Sequence, residues 1–182
     1  SAVLDTTIVP GLTRPKPCKP TKGRVEVCDA KYGFNGWLGL AQIWIDSNGH
    51  IAQGVSKMND TYFSAAPYNT PSWRQFVMCQ EVGHTFGLNH QDENFSNPNL
   101  GTCMDYTNYP DGSPSNLHPN AHDYAQLGTI YAHLDSYTTL LASAPTGPGK
   151  SGRLAPGVDV SEPSEWGQVL KHDGKGRPSL YG

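Results

Sequence analysis

Charge of either sign is scarce in this chain: of 182 residues only 16% are Asp, Glu, Lys or Arg, and the net balance is −3. A basic footprint for nucleic acid and a polybasic patch for a membrane surface are both excluded. Long apolar runs are missing too, none approaching the ~18 residues of a membrane span. No leader-like segment stands at the start, and a chain beginning at Ser1 reads as the mature form of a secreted, extracellular protein. Methionines number three and cysteines four, and no CxxC pair occurs, which argues against a thiolate metal site. Glycine (20) and proline (15) are plentiful, so the chain is rich in loops. The length suits one domain, or one domain with an appendage, large enough to bury a core.

Residues 1–23 are rich in Pro and Lys and read as irregular. Strands are predicted over 24–29, 38–46 and 50–58, because Ile43, Trp44 and Ile45 favour strands and Ser47-Asn48-Gly49 is a hairpin turn signal. A helix follows from Thr70, a good N-cap, with Pro71 in its first turn. Between residues 72 and 86 only Arg74 and Glu81 are charged, while Trp73, Phe76, Val77, Val82 and Phe86 spread over more than one face. Such a helix is buried on several sides, and a carboxylate on it needs a function to justify its burial. A second helix begins at Asn120, with Asp123 three residues on as a box-like partner and Tyr124, Leu127, Tyr131 and Leu134 spaced to face a core. Residues 1–141 therefore read as the main domain, 142–163 as a Pro/Gly/Ser-rich linker, and 164–182 as a short hairpin-like appendage, with a strand near 168–171 and a turn at Asp173-Gly174.

Residues 80–90 read QEVGHTFGLNH, one letter from HExxHxxGxxH. The pattern resembles the zinc-binding signature of the metzincin metalloproteases, with Gln80 where the first histidine would stand. The spacing has a physical basis. Residues four apart on a helix point into the same space, so Gln80 and His84 could grip one ion with Glu81 beside them. Gly87 lets the chain leave the helix, and His90 can return toward the metal from the loop. Gln80, His84 and His90 would thus supply the three protein ligands of a catalytic Zn2+ site, and Glu81 the general base.

Downstream, Gly101-Thr102-Cys103-Met104-Asp105-Tyr106 resembles the turn that metzincins place beneath their metal, with Met104 as its methionine. The resemblance also implies a role for Tyr106, two residues on, as a zinc-side phenol that steadies the tetrahedral intermediate. The residue after the third ligand, Gln91, does not assign the chain to one metzincin family. The pattern is most similar to small secreted bacterial metzincin-like proteins. In metzincins an edge strand binds the substrate backbone, which makes one strand of the 38–58 hairpin the candidate, and the loop 106–119 would set specificity.

A glutamine oxygen is a harder and weaker donor to zinc than an imidazole nitrogen, so metal affinity should fall. Bound water should nevertheless stay acidic, leaving a working but chelator-sensitive site. Four cysteines allow three pairings; Cys18 with Cys28 and Cys79 with Cys103 are expected, the second tying the active-site helix to the methionine turn and implying an oxidising compartment. Asp46-Ser47-Asn48-Gly49 reads as a plain turn, while Asp92, Glu93, Asn94 and Asn97 form an oxygen cluster that could take Ca2+. His118, His122 and His133 read as surface or capping residues, with His118 or His122 as a conceivable substitute for Gln80.

The expectation is an α+β, metzincin-like domain: a small twisted mixed sheet, an active-site helix, a methionine turn and a C-terminal helix. Its function would be that of a secreted, monomeric zinc endopeptidase acting on protein or peptide substrates. The alternative is a pseudo-protease that keeps the fold and binds peptides or partners, and a third reading is a cell-surface or polysaccharide-binding module without metal.

Overall fold

The computed structural model describes Leu4, residues 6–11 and 16–133, and the backbone of three short strands beyond them. Strand β1 (Val25–Ala30) alternates buried and exposed residues, as a strand with one covered face does. Strand β2 (Gly39–Ile45) alternates as well, whereas β3 (Ile51–Asn59) is buried along most of its length. Its burial follows from its place in the middle of the sheet. β1 runs parallel to β3, and β2 pairs antiparallel with β3, with Ala41 opposite Ser56. A two-residue strand, β4 (Val158–Asp159), pairs with β2 at Gln42 and Ile43, so the order is β1-β3-β2-β4. The hairpin between β2 and β3 is closed by Asp46, whose Oδ1 accepts the Asn48 and His50 amides, and by Gly49 at φ 87°. The plain turn expected there is what forms.

After a single turn of helix, α1 (Asp60–Phe63), helix α2 (Pro71–Thr85) crosses one face of the sheet. The Thr70 hydroxyl accepts the Trp73 amide at 3.2 Å, the cap read from sequence. Two strand glycines set how close α2 lies. A Cβ on Gly39 would meet Val77 Cγ1 and Glu81 Cγ at 2.5 Å, and one on Gly54 would meet Thr85 Cβ at 3.2 Å. Phe76, Val77, Met58, Phe63, Leu88, Met104 and Leu127 form the main core between α2, the sheet and the chain below. Each fully buried side chain of this size contributes ~1.5–3 kcal/mol. On the other face, the Cys18–Cys28 disulfide packs on Val55.

Helix α3 (Ala121–Ile130) begins with a complete capping box between Asn120 and Asp123. One expectation fails here: Tyr124 is 55% exposed instead of facing the core. The buried stripe of α3 runs through Asp123 and Leu127, and Tyr124, one residue on from Asp123, is turned about 100° away from it. Tyr131 does pack against the core, while Leu134 lies outside the described residues. So do the linker 142–163, apart from the β4 backbone, and the Asp173-Gly174 turn. Strands β5 (Val169–His172) and β6 (Pro178–Tyr181) pair antiparallel, giving the strand expected near 168–171 a partner. The chain is α+β, and among the described residues no helix is long and apolar enough to cross a membrane.

Candidate metal centre

The last turns of α2 bury Gln80 (8% exposed), Glu81 (3%) and His84 (0%). The helix then ends through bonds from Phe86 N and Leu88 N to Gly83 O and from Gly87 N to His84 O, with Gly87 at φ 87°. Glycine takes that left-handed conformation without a steric penalty, and the reversal turns Leu88 into the core. Leu88 does more than fill space: its carbonyl lies 2.9 Å from His84 Nδ1. With Nδ1–H donating there, the lone pair of His84 is on Nε2.

His90 comes back to meet it. The two Nε2 atoms are 2.9 Å apart, with the rings edge to face and their centroids 4.5 Å apart. His90 Nδ1 faces Glu93 Oε1 at 3.4 Å, an oxygen partner for its own Nδ1–H. Burial, and then the neighbouring His90, lower the pKa of His84 to about 3; burial lowers that of His90 to about 4. Both rings are therefore neutral at physiological pH; with the His90 proton on Nδ1, toward Glu93, the two lone pairs point into one small space, and in the other tautomer His90 Nε2–H donates to His84 Nε2. Two lone pairs so placed repel unless a proton or a cation lies between them, and a neutral imidazole is the form that binds metal.

Among the described residues no three His, Cys, Asp or Glu side chains gather to hold a metal. A three-ligand centre at His84 and His90 thus depends on Gln80, one helical turn before His84. The Gln80 Nε2 atom is buried and makes no hydrogen bond. Rotating the amide exchanges its nitrogen and oxygen, which would put an acceptor at that orphan position. A buried amide without a hydrogen bond at its nitrogen, one helical turn before His84, fits a cation. Neither substitute for Gln80 is in place: the His118 ring meets Gln75 Nε2 at 3.1 Å, and His122 is exposed at the start of α3. Glu81 reaches the start of β2, where a Cβ on Gly39 would meet its Oε1 at 2.6 Å.

The turn around Met104 lies directly beneath α2. A Cβ on Gly83 would meet Met104 Sδ at 2.7 Å, and Cys103 is joined to Cys79 of α2 by a disulfide. Both pairings expected from sequence, Cys18–Cys28 and Cys79–Cys103, are formed. The ring of Tyr106 packs at 4.5 Å from that of His90 and stacks with Phe95 at 4.7 Å. In the oxygen cluster at 92–97, Asp92 Oδ1 accepts the Asn94 amide, Asn94 Oδ1 accepts the Ser96 amide and Glu93 faces His90, while the buried Asn97 Oδ1 makes no hydrogen bond.

Sequence reasoning missed the polar frame that holds these loops. Gln91 Nε2 donates to Asp123 Oδ1 at 2.7 Å and to Asn120 Oδ1 at 3.0 Å, and its amide donates to Met104 O at 2.6 Å. Thr102 Oγ1 donates to the other Asp123 oxygen, and Asn116 Oδ1 accepts the Gly101 and Thr102 amides. The residue next to His90 is thereby bolted to both α3 and the methionine turn. The available signal was an Asp at the third position of a capped helix, which sequence reads only as half of a capping box.

No family model, curated protein or solved structure matches this chain.

Proposed function

We propose that the protein is a secreted zinc endopeptidase of metzincin type. The supporting observation is the convergence of the His84 and His90 Nε2 atoms at 2.9 Å, each ring facing an oxygen through its Nδ1. Gln80, His84 and His90 would hold the ion, which supplies Lewis acidity to a carbonyl and to water. Glu81, on the turn before His84 and against the start of β2, takes the proton of the attacking water and delivers it to the leaving amine. The Tyr106 phenol, packed on His90, donates to the developing oxyanion. An extended peptide adds to β2 near Gly39, the part of the strand beside Glu81, while β4 pairs farther along at Gln42 and Ile43. Two disulfides support an oxidising, extracellular setting, and the unit is taken to act as a monomer. Ca2+ in the 92–97 loop remains a secondary part of this proposal.

A second reading, a pseudo-protease that binds peptides without cutting them, is favoured by one observation: an amide stands where a third imidazole would complete the ligands.

Casein hydrolysis by the zinc-loaded chain, with and without chelator, separates the two. Cleavage should stop with chelator and fall about 10²–10⁴-fold in Glu81→Ala at unchanged zinc content. Gln80→His should tighten zinc in a chelator competition. Stoichiometric zinc without cleavage, or no zinc binding at all, would remove the protease and leave the pseudo-protease.

A further inference from the structure

A second pair of imidazoles meets on the other side of the Gly87 turn. His50 closes the β2–β3 hairpin and His133 follows α3, 83 positions later, yet their Nε2 atoms lie 3.3 Å apart. The ring planes differ by 15° and the centroids are 5.3 Å apart. The centroids are farther apart than the nitrogens, so the Nε2 atoms lie on the facing sides of the two rings. Two imidazole nitrogens bound tetrahedrally to one ion at ~2.0–2.1 Å lie ~3.3–3.4 Å from each other. The gap between His50 and His133 has that value, whereas the 2.9 Å gap between His84 and His90 has to widen to admit an ion.

The surroundings favour a cation. Asp46 Oδ1 accepts the His50 amide at 3.0 Å, so a carboxylate belongs to the same turn. The pair also sits at a mechanical junction. Ile51, next to His50, and Ile130, three residues before His133, both reach Gly87, where an added Cβ would meet their Cδ1 atoms at 3.8 and 3.7 Å. Gly87 is the residue that turns the chain between His84 and His90. Whatever ties His50 to His133 therefore closes the outside of that turn.

We propose that His50 and His133 form a separate metal site for one late first-row divalent cation, Zn2+, Ni2+ or Cu2+, with water completing its shell. Occupancy braces the β2–β3 hairpin against the end of α3. With two protein ligands it binds more weakly than the first centre, and Ni2+ and Cu2+ suit imidazole nitrogen well. The inference does not rest on the reading of the first centre as catalytic.

The test uses the full chain, free of any added histidine tag, stripped with chelator and titrated with Ni2+ and with Zn2+ by calorimetry. His90→Ala disables the first centre without touching the second. In that background Ni2+ should still bind at one equivalent and raise Tm, and both effects should vanish when His133→Ala or His50→Ala is added. His122→Ala, an exposed histidine on α3, should change neither. His133→Gln, which keeps a polar side chain of similar reach, guards against a folding defect, with circular dichroism checking each variant. Unchanged Ni2+ binding in the His50 and His133 variants, or equal loss in His122→Ala, would overturn the proposal. If the wild-type chain holds no tight zinc but keeps the His133-dependent ion, the protease reading fails and this site stands.

Discussion

Met104 Sδ lies so close to α2 that a methyl group on Gly83 would approach it to 2.7 Å. Met104 is fully buried, so its sulfur has nowhere to retreat. The contact sets the distance between the methionine turn and the helix turn that carries His84.

Gly83→Ala should therefore destabilise the protein even though alanine favours helix. The overpacking penalty is ~1–3 kcal/mol, against a propensity gain of up to ~1 kcal/mol. Gly128, on α3, has open space around it and serves as the contrast: Gly128→Ala should stabilise by ~0.5–1 kcal/mol. Urea unfolding of the two variants gives opposite shifts in midpoint if the packing is as described. Equal shifts would mean that the sulfur contact does not constrain the helix.

Removing the Cys79–Cys103 bridge by double substitution to serine should cost ~2–4 kcal/mol and also weaken zinc binding. The bridge joins the residue before Gln80 to the residue before Met104, so its loss frees the floor of the centre as well as the unfolded chain. The Cys18–Cys28 double variant should lose stability alone, because that bridge packs on Val55 on the far face of the sheet. Chelator competition on both proteins provides the comparison.

Acid should act on the metal-free protein through His84 and His90. Their folded pKa values, about 3 and about 4, lie below the ordinary imidazole value of 6.5. Above pH 6.5 both states are neutral and stability does not depend on these rings. Below it the unfolded chain binds protons that the folded chain refuses, so stability falls as pH drops toward 4 and levels off below 3. The limiting slope is about 1.4 kcal/mol per pH unit for each imidazole. Equilibrium unfolding at pH 7.5, 6 and 5 should show this decline in the stripped wild-type chain and a shallower one in His90→Gln. A parallel pair of curves would remove His90 as a source.

Gln91→Ala would take two donors from the frame around α3 and leave Asp123 Oδ1 buried without its partner. The cost is ~1–3 kcal/mol for an orphaned buried acceptor, more for a charged one. The backbone N–H of residue 91 keeps its bond to Met104 O, but without the side-chain tie to α3 the neighbouring His90 should lose its fixed position and zinc affinity should drop with stability. Loss of stability at unchanged affinity would confine Gln91 to a structural part.

Sequence alone determined the features that depend on neighbours within a helical turn or a tight turn. The Thr70 cap, the Pro71 start, the Asp46–Gly49 reversal, the left-handed exit at Gly87 and the Asn120–Asp123 box all rest on bonds between residues two to four apart. Those bonds are dictated by residue type and spacing, so they were legible before any fold was known. Tertiary packing decided the rest. It brought His90 onto His84, buried Asp123 while exposing Tyr124, set Gln91 between α3 and the methionine turn, and laid His133 against His50. Those contacts join segments whose separation in space is set by how α2, α3 and the sheet fill a shared core, and no local pattern of residues encodes that volume.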